Sequence, residues 1–156
     1  MDAKNAVRML GKFLFRELTP DGQLVKAWEV PNLVVTTGLA WLSGALTGDV
    51  ADPTIMKYIG VGTDSTAAAT TDTALGVEVE TRATATPTQQ TTDYTNDTFQ
   101  LIGTITMGSS RNITEVGIFS QAALGGTMLS RSVFSAETVG AGNSLQVTYK
   151  CDFDAA

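Results

Sequence analysis

The most constraining feature of this chain is a run of short apolar or alternating stretches broken by glycine-rich turns. Residues 99–107, 113–120, 128–134 and 145–153 each read as a strand. They are separated by Gly108-Ser109-Ser110-Arg111-Asn112, by Gly125-Gly126 and by Gly140-Ala141-Gly142-Asn143. Upstream, Val77, Val79 and Thr81 alternate with Glu78, Glu80 and Arg82, and the pattern fades through threonines to Gln90. Residues 55–62 form another strand, and residues 6–30 read as a β-hairpin. Its turn is Thr19-Pro20-Asp21-Gly22, where proline presets the first turn dihedral and Asp-Gly tolerates positive φ. The sum is about eight strands at short spacing, which predicts a mainly β chain: an antiparallel sandwich or barrel with an N-terminal hairpin. Thr, about one residue in seven, suits a pleated, half-buried surface.

One helix is expected, over 37–47. Pro31-Asn32 breaks the hairpin's return strand, and Thr36 or Thr37 offers an N-cap hydroxyl. Leu39, Leu42 and Leu46 then form an apolar stripe that should sit on a sheet or at the sandwich mouth. Gly48 is placed to end the helix. Residues 63–73, rich in Ser, Thr and Ala, predict a surface loop or a segment ordered by a partner. The expected division is an N-terminal hairpin or arm, 1–30, and a β-sandwich domain, 31–156.

Charge and composition narrow the function. Hydrophobic residues make up 43% of the 156, enough for a core, while charged residues are only 17%. A surface poor in charge is cheaper to desolvate against a neighbour. The net charge of −6 and ten scattered basic residues argue against nucleic acid and against an anionic membrane. The single cysteine, Cys151, fits folding in a reducing cytoplasm, and no signal peptide is expected at the N-terminus. Cys151 falls in the alternation Val147, Tyr149, Cys151, Phe153 and reads as a core or interface sulfur.

The absence of histidine removes the Ser-His-Asp and Cys-His nucleophile systems and the commonest zinc ligand. Glu78 and Glu80 are the one candidate carboxylate pair, two apart on a strand, but a solvated or interfacial strand face explains them. Gly60-Val61-Gly62-Thr63 lacks the third glycine of a dinucleotide loop and the Lys of a P-loop, so its glycines imply a bend or close backbone approach. Asp49, Asp52, Asp64 and Asp72 match no EF-hand spacing, so loop solvation is expected in place of Ca²⁺. Glu115 and Arg131 are placed to pair across adjacent strands. No enzyme, cofactor or metal is expected.

The order of these motifs resembles that of small structural proteins of tailed bacteriophages, including N-terminal domains of tail-collar and tail-fibre proteins. Asn32-Leu33-Val34-Val35-Thr36-Thr37-Gly38 leads into the short helix, followed by Ile59-Gly60-Val61-Gly62-Thr63. Then come Asp72-Thr73-Ala74-Leu75, Glu78, Arg82, Ile113-Thr114-Glu115-Val116-Gly117-Ile118-Phe119 and Gly126-Thr127-Met128-Leu129-Ser130-Arg131. The similarity spans residues 30–154. It implies a β-sandwich virion component, assembled in the bacterial cytoplasm, that acts as a homo-oligomer on other virion proteins. A tail, collar or baseplate adaptor that docks fibres is one form; a capsid decoration protein is another. With no repetitive shaft in the sequence, a complete fibre is not expected. A carbohydrate-binding module, with Trp41, Tyr58 and Tyr94 as its aromatics, is the alternative from another class. The residues expected at interfaces are Phe13, Phe15, Trp28, Glu78, Glu80 and Arg82.

Overall fold

A computed structural model describes residues 7–48 and 55–155. Two antiparallel five-stranded sheets face each other, as the alternation predicts. In chain order the elements are β1 (Val7–Leu18), β2 (Leu24–Pro31), β3 (Leu33–Val34), α1 (Thr36–Thr47), β4 (Tyr58–Gly62), β5 (Glu78–Thr84), β6 (Thr86–Gln90), β7 (Thr98–Thr106), β8 (Arg111–Phe119), β9 (Met128–Val139) and β10 (Ser144–Ala155). The first sheet has the order β2-β1-β10-β7-β6, the second β3-β9-β8-β4-β5. Ten strands replace the expected eight for two reasons. The segment after Val77 changes sheets at buried Ala85, so it counts as β5 in one sheet and β6 in the other. The residues after Pro31 add the two-residue edge strand β3.

The hairpin is built as its turn chemistry dictates. The Gly22 N–H donates to the Thr19 carbonyl (2.9 Å), Gly22 takes φ +86°, and the Thr19 hydroxyl bonds Asp21. β1 pairs with β10 from Val7↔Ala155 to Leu18↔Ser144, so the hairpin forms one end of the first sheet. Its inward residues Phe13 and Phe15 are buried among Tyr149, Leu101, Ile59 and Ile118, in the layer between the sheets. Glu17, the next inward position, accepts from the Gly140 N–H (2.9 Å) and Asn143 Nδ2 (2.7 Å), which holds the turn between β9 and β10.

The helix differs from expectation in two respects. Its N-cap is Val35, and neither threonine hydroxyl caps it; Thr36 Oγ1 donates to the Thr70 carbonyl (3.1 Å) and Thr37 Oγ1 to the Met128 carbonyl (3.0 Å). Gly48 ends it in the left-handed region, φ +73°, as expected. The predicted stripe does not all turn inward. Gly38 is the only buried helix residue, and any Cβ there would collide with the Leu129 backbone. This close approach sets the roll of the helix, so Trp41 and Leu42 reach the core while Leu39 and Leu46 face outward.

Removal of the hairpin exposes the β10 edge and the Phe13–Tyr149 layer. A chain beginning at Pro31 is therefore expected to lose cooperative urea unfolding, and Phe15→Ala in the full chain to cost about 3–5 kcal/mol by the same measurement. A truncated chain that keeps a sharp transition would show that the remaining strands fold without it.

Candidate functional site: a buried ion network under the 63–77 segment

The chemistry-bearing motifs meet on the outer face of the second sheet. Ile118 and Val116 of β8 point into the core, so Phe119, Gly117 and Glu115 point the other way. Ordinarily that face would meet water. Here the segment 63–77 folds back over it as a third layer, and Leu75 joins Val35, Phe119 and Met128 in a second small apolar cluster. The strand glycines make room for this cover. A Cβ on Gly62 would strike the Glu115 carboxylate and the Val77 carbonyl; one on Gly117 would lie 3.1 Å from both Leu75 and Phe119. The Gly60-Val61-Gly62 motif is thus explained by close approach, as its sequence implied.

Glu115 is fully buried, and its carboxylate is surrounded by donors. Oε1 accepts from the backbone N–H groups of Val77 (2.9 Å) and Asp64 (3.2 Å). Oε2 accepts from the Gly76 N–H (2.9 Å) and from Arg131 Nη2 (2.8 Å) and Nε (3.1 Å). The expected Glu115–Arg131 pair is therefore present, with β8 and β9 registered Gly117↔Arg131 so that the two meet diagonally. Arg131, itself buried, also reaches Asp72 through Nη1 (2.7 Å) and Asp64 through Nη2 (3.2 Å).

Both loop aspartates are held below their ordinary range. For Asp64 the Thr66 N–H and hydroxyl dominate, with Arg131 adding to them against desolvation. For Asp72 burial opposes ionisation, but the Ala69 N–H and Arg131 outweigh it. Burial lowers the Arg131 pKa, yet bonds to Asp72 and Glu115 more than reverse this and raise it. Asp64 and Asp72, expected to be solvated, are thus consumed by an arginine; Asp49 and Asp52 lie outside the described residues. Among the described residues no group of His, Cys, Asp and Glu is placed to hold a metal ion.

Glu78 and Glu80 do not form a carboxylate pair. A bulge separates the register Val61↔Val79 from Ile59↔Ala83, and Glu80 takes φ +59°, which breaks the period of two. Glu78 forms a two-pronged bond with Arg82, Oε1 to Nε at 2.6 Å and Oε2 to Nη2 at 2.8 Å. Glu80 instead faces Arg111 (3.2 Å). Arg82 is buried: its guanidinium lies 3.5 Å from the centre of the Phe119 ring and donates to the carbonyls of Gln121 and Gly125. Of the other residues expected at interfaces, Phe13 and Phe15 have no exposed surface to offer while the sandwich is closed. Trp28 is half-buried and stacked on Phe15 at 4.8 Å, with its indole N–H buried and unpartnered.

An apolar cleft of about 310 Å³ opens beneath the helix, walled by Met9, Trp41, Leu42, Met56, Phe99 and Phe153. Cys151 lies in its wall, buried, and burial pushes its thiol up to about 11, which disfavours the thiolate. Trp41 lines this cleft, whereas Tyr58 packs with the Phe119 cluster and Tyr94 is exposed on the 93–97 turn. That turn is organised by Asp97, which accepts from the N–H groups of Thr92 (2.8 Å) and Asp93 (2.8 Å). Desolvation pushes its carboxyl up, but the N–H groups of Tyr94, Thr92 and Asp93 and the Thr98 hydroxyl prevail and lower it from 3.8 to about 2.

Compared with protein-family models, with curated proteins and with solved structures, the chain matches none.

Three outcomes follow from these bonds. Arg131→Met leaves buried Glu115 without its cation and is expected to cost about 3–5 kcal/mol in urea unfolding. The double variant Glu115→Gln/Arg131→Met should cost clearly less than the sum of the two single changes, since each single change strands a partner; simple additivity would show that the pair is not coupled. The Asp97 pKa is depressed in the folded state, so its contribution is present above 3.8 and lost as pH falls towards 2. Asp97→Asn should lower the thermal midpoint at neutral pH, and the gap from the parent should close as pH drops through that window.

Proposed function

We propose that this chain is a structural subunit of a tailed-bacteriophage particle, placed at the tail, collar or baseplate, that works by packing on other virion proteins and docking fibres. The observation that carries the reading is the outer face of the first sheet. Its β7 and β6 half, Thr104, Ile102–Thr86 and Gln100–Thr88, carries no charge, and β10 beside it sets Gln146, Thr148 and Lys150 in register with Thr104, Ile102 and Gln100. Lys12, Arg16 and Glu29 on β1 and β2, and Asp152 on β10, border that half. Such a face loses little on desolvation, and its amides and hydroxyls can each satisfy a partner's backbone.

The second support is the fate of the titratable groups. Glu78, Glu80, Glu115, Asp64 and Asp72 each hold an arginine. Residues that would have to move protons in an enzyme here fix the shape of a surface. The motif order that resembles phage structural proteins also gains a physical meaning. Gly62, Asp72, Leu75, Glu115, Gly117 and Arg131 all belong to one clasp, which gives the order of those motifs a structural role.

Copy number in purified virions, measured by quantitative mass spectrometry against the major capsid protein, tests the proposal. A few rings' worth of copies is expected. A count close to that of the capsid protein would replace the tail assignment with capsid decoration, and absence from the particle would overturn both.

A further inference from the structure

The alternation that buries Phe13, Phe15, Val147 and Tyr149 turns their strand neighbours to the outer face of the first sheet, and four of those neighbours are cations. Arg8 stands opposite Asp154, an opposite charge. Lys12 stands directly opposite Lys150, and like charges so placed are unfavourable in a sheet. Lys12 has Glu29 at 3.3 Å, but both side chains are exposed and such a bridge contributes little. Among the described residues, Arg16 and Lys150 have no carboxylate at ion-pair distance. Asp152, the next outward position after Lys150, accepts instead from the Thr98 hydroxyl (3.3 Å). The contrast is with Arg82, Arg111 and Arg131, each of which holds a glutamate.

Arg16 and Lys150 line a shallow groove of about 630 Å³. Register arranges it in three rows across the sheet: Lys12, Lys150 and Gln100; then Leu14, Thr148 and Ile102; then Arg16, Gln146 and Thr104. Arg16 is four residues from Lys12 on one strand, so the two positive ends lie about 13 Å apart. The middle row gives them an uncharged and partly aliphatic floor. Charge selects the occupant. In a chain of net charge −6, two cations left without an internal acid are matched by carboxylates on a partner. These outward positions carry amide, hydroxyl and aliphatic groups, with no aromatic ring for a sugar to stack on. Two separated poles also fall short of the continuous cationic track that a phosphate backbone requires.

We propose that this groove docks an acidic surface of a different protein, with one carboxylate between Lys12 and Lys150, a second on Arg16, and a small apolar patch between them over Leu14 and Ile102. The inference rests on the role of this face as a packing surface and names the chemistry of what packs there. A carboxylate between the two lysines relieves their repulsion, and the Arg16 guanidinium can hold another through two parallel bonds. Gln100 and Gln146, one beside each pole, supply further donors.

Binding of the full chain to labelled poly-L-glutamate, read by fluorescence anisotropy, tests this. Binding at low ionic strength is expected despite the like net charge, with loss at high salt. Arg16→Gln/Lys150→Gln should weaken it by about tenfold or more at an unchanged thermal midpoint. Lys57→Gln, which removes the cation over Tyr58 in the other sheet, should leave it unchanged. A parent chain that ignores poly-L-glutamate, or a double variant that binds as the parent does, would overturn the proposal. Tighter binding of polygalacturonate would overturn it too, by giving the groove to an acidic glycan. In purified virions, carbodiimide should couple Lys12 or Lys150 to an Asp or Glu of another protein. Virions that hold the chain but couple neither lysine overturn this proposal and leave the phage assignment standing. Virions without the chain overturn that assignment, and poly-L-glutamate then decides this proposal alone.

Discussion

The Glu115 carboxylate is the interaction on which the second sheet depends. Its two oxygens accept three backbone N–H groups from the 63–77 segment and two from Arg131. A buried carboxylate with fewer partners would be too costly to keep ionised in the interior. The cover segment and the arginine are therefore conditions for each other. The segment supplies N–H donors to both oxygens of Glu115, and Glu115 with Arg131 gives that segment a fixed place to lie. The same segment reaches the helix, since the Thr70 carbonyl accepts from both the N–H and the hydroxyl of Thr36. One carboxylate thus ties together β8, β9, the 63–77 layer and the start of α1.

An apolar pair of similar volume could bury as well as Glu115 and Arg131, and replacement of buried ion pairs in this way is often neutral for stability. Leucines would not specify a single position for a segment made mostly of Ser, Thr and Ala, because those residues offer little apolar surface to register against. Directed bonds do. Gly62 belongs to the same solution, since it lets the segment's backbone at Val77 and the Glu115 carboxylate come close, while Gly117 leaves room for the Leu75 side chain over Phe119.

Local features were the legible ones. Pro20-Asp21-Gly22 announced the hairpin, Gly48 the helix end, and a period of two most of the strands. The Glu115–Arg131 pair was also legible, because two charges inside otherwise apolar strands need each other. Three features were not. Residues 63–73 read as a surface loop or a segment ordered by a partner, and they are a surface loop, but what fixes them is the chain's own Glu115 on a distant strand, which no local pattern records. The β5 bulge was hidden because Glu78 to Arg82 alternates faithfully, while the positive φ at Glu80 accompanies a bond to Arg111 on another strand. The roll of α1 was misjudged because its leucines suggested the buried face. Gly38, which lets the backbone touch Leu129, decided it.

These constraints also distribute the surfaces available to a partner. The outer face of the second sheet is closed by the chain itself over Glu115, Gly117 and Phe119, and its charges neutralise one another there. The outer face of the first sheet has no such cover and no need of one, since Thr, Gln and Ile102 tolerate both water and a neighbour. The α1 stripe is different again: Leu39 and Leu46 gain nothing from water, and the helix has few stabilising features of its own. A partner on the first sheet would find hydrogen bonds, while one on α1 would find apolar contact and supply order that the helix lacks. The two surfaces thus favour different chemistry and can be engaged by different neighbours.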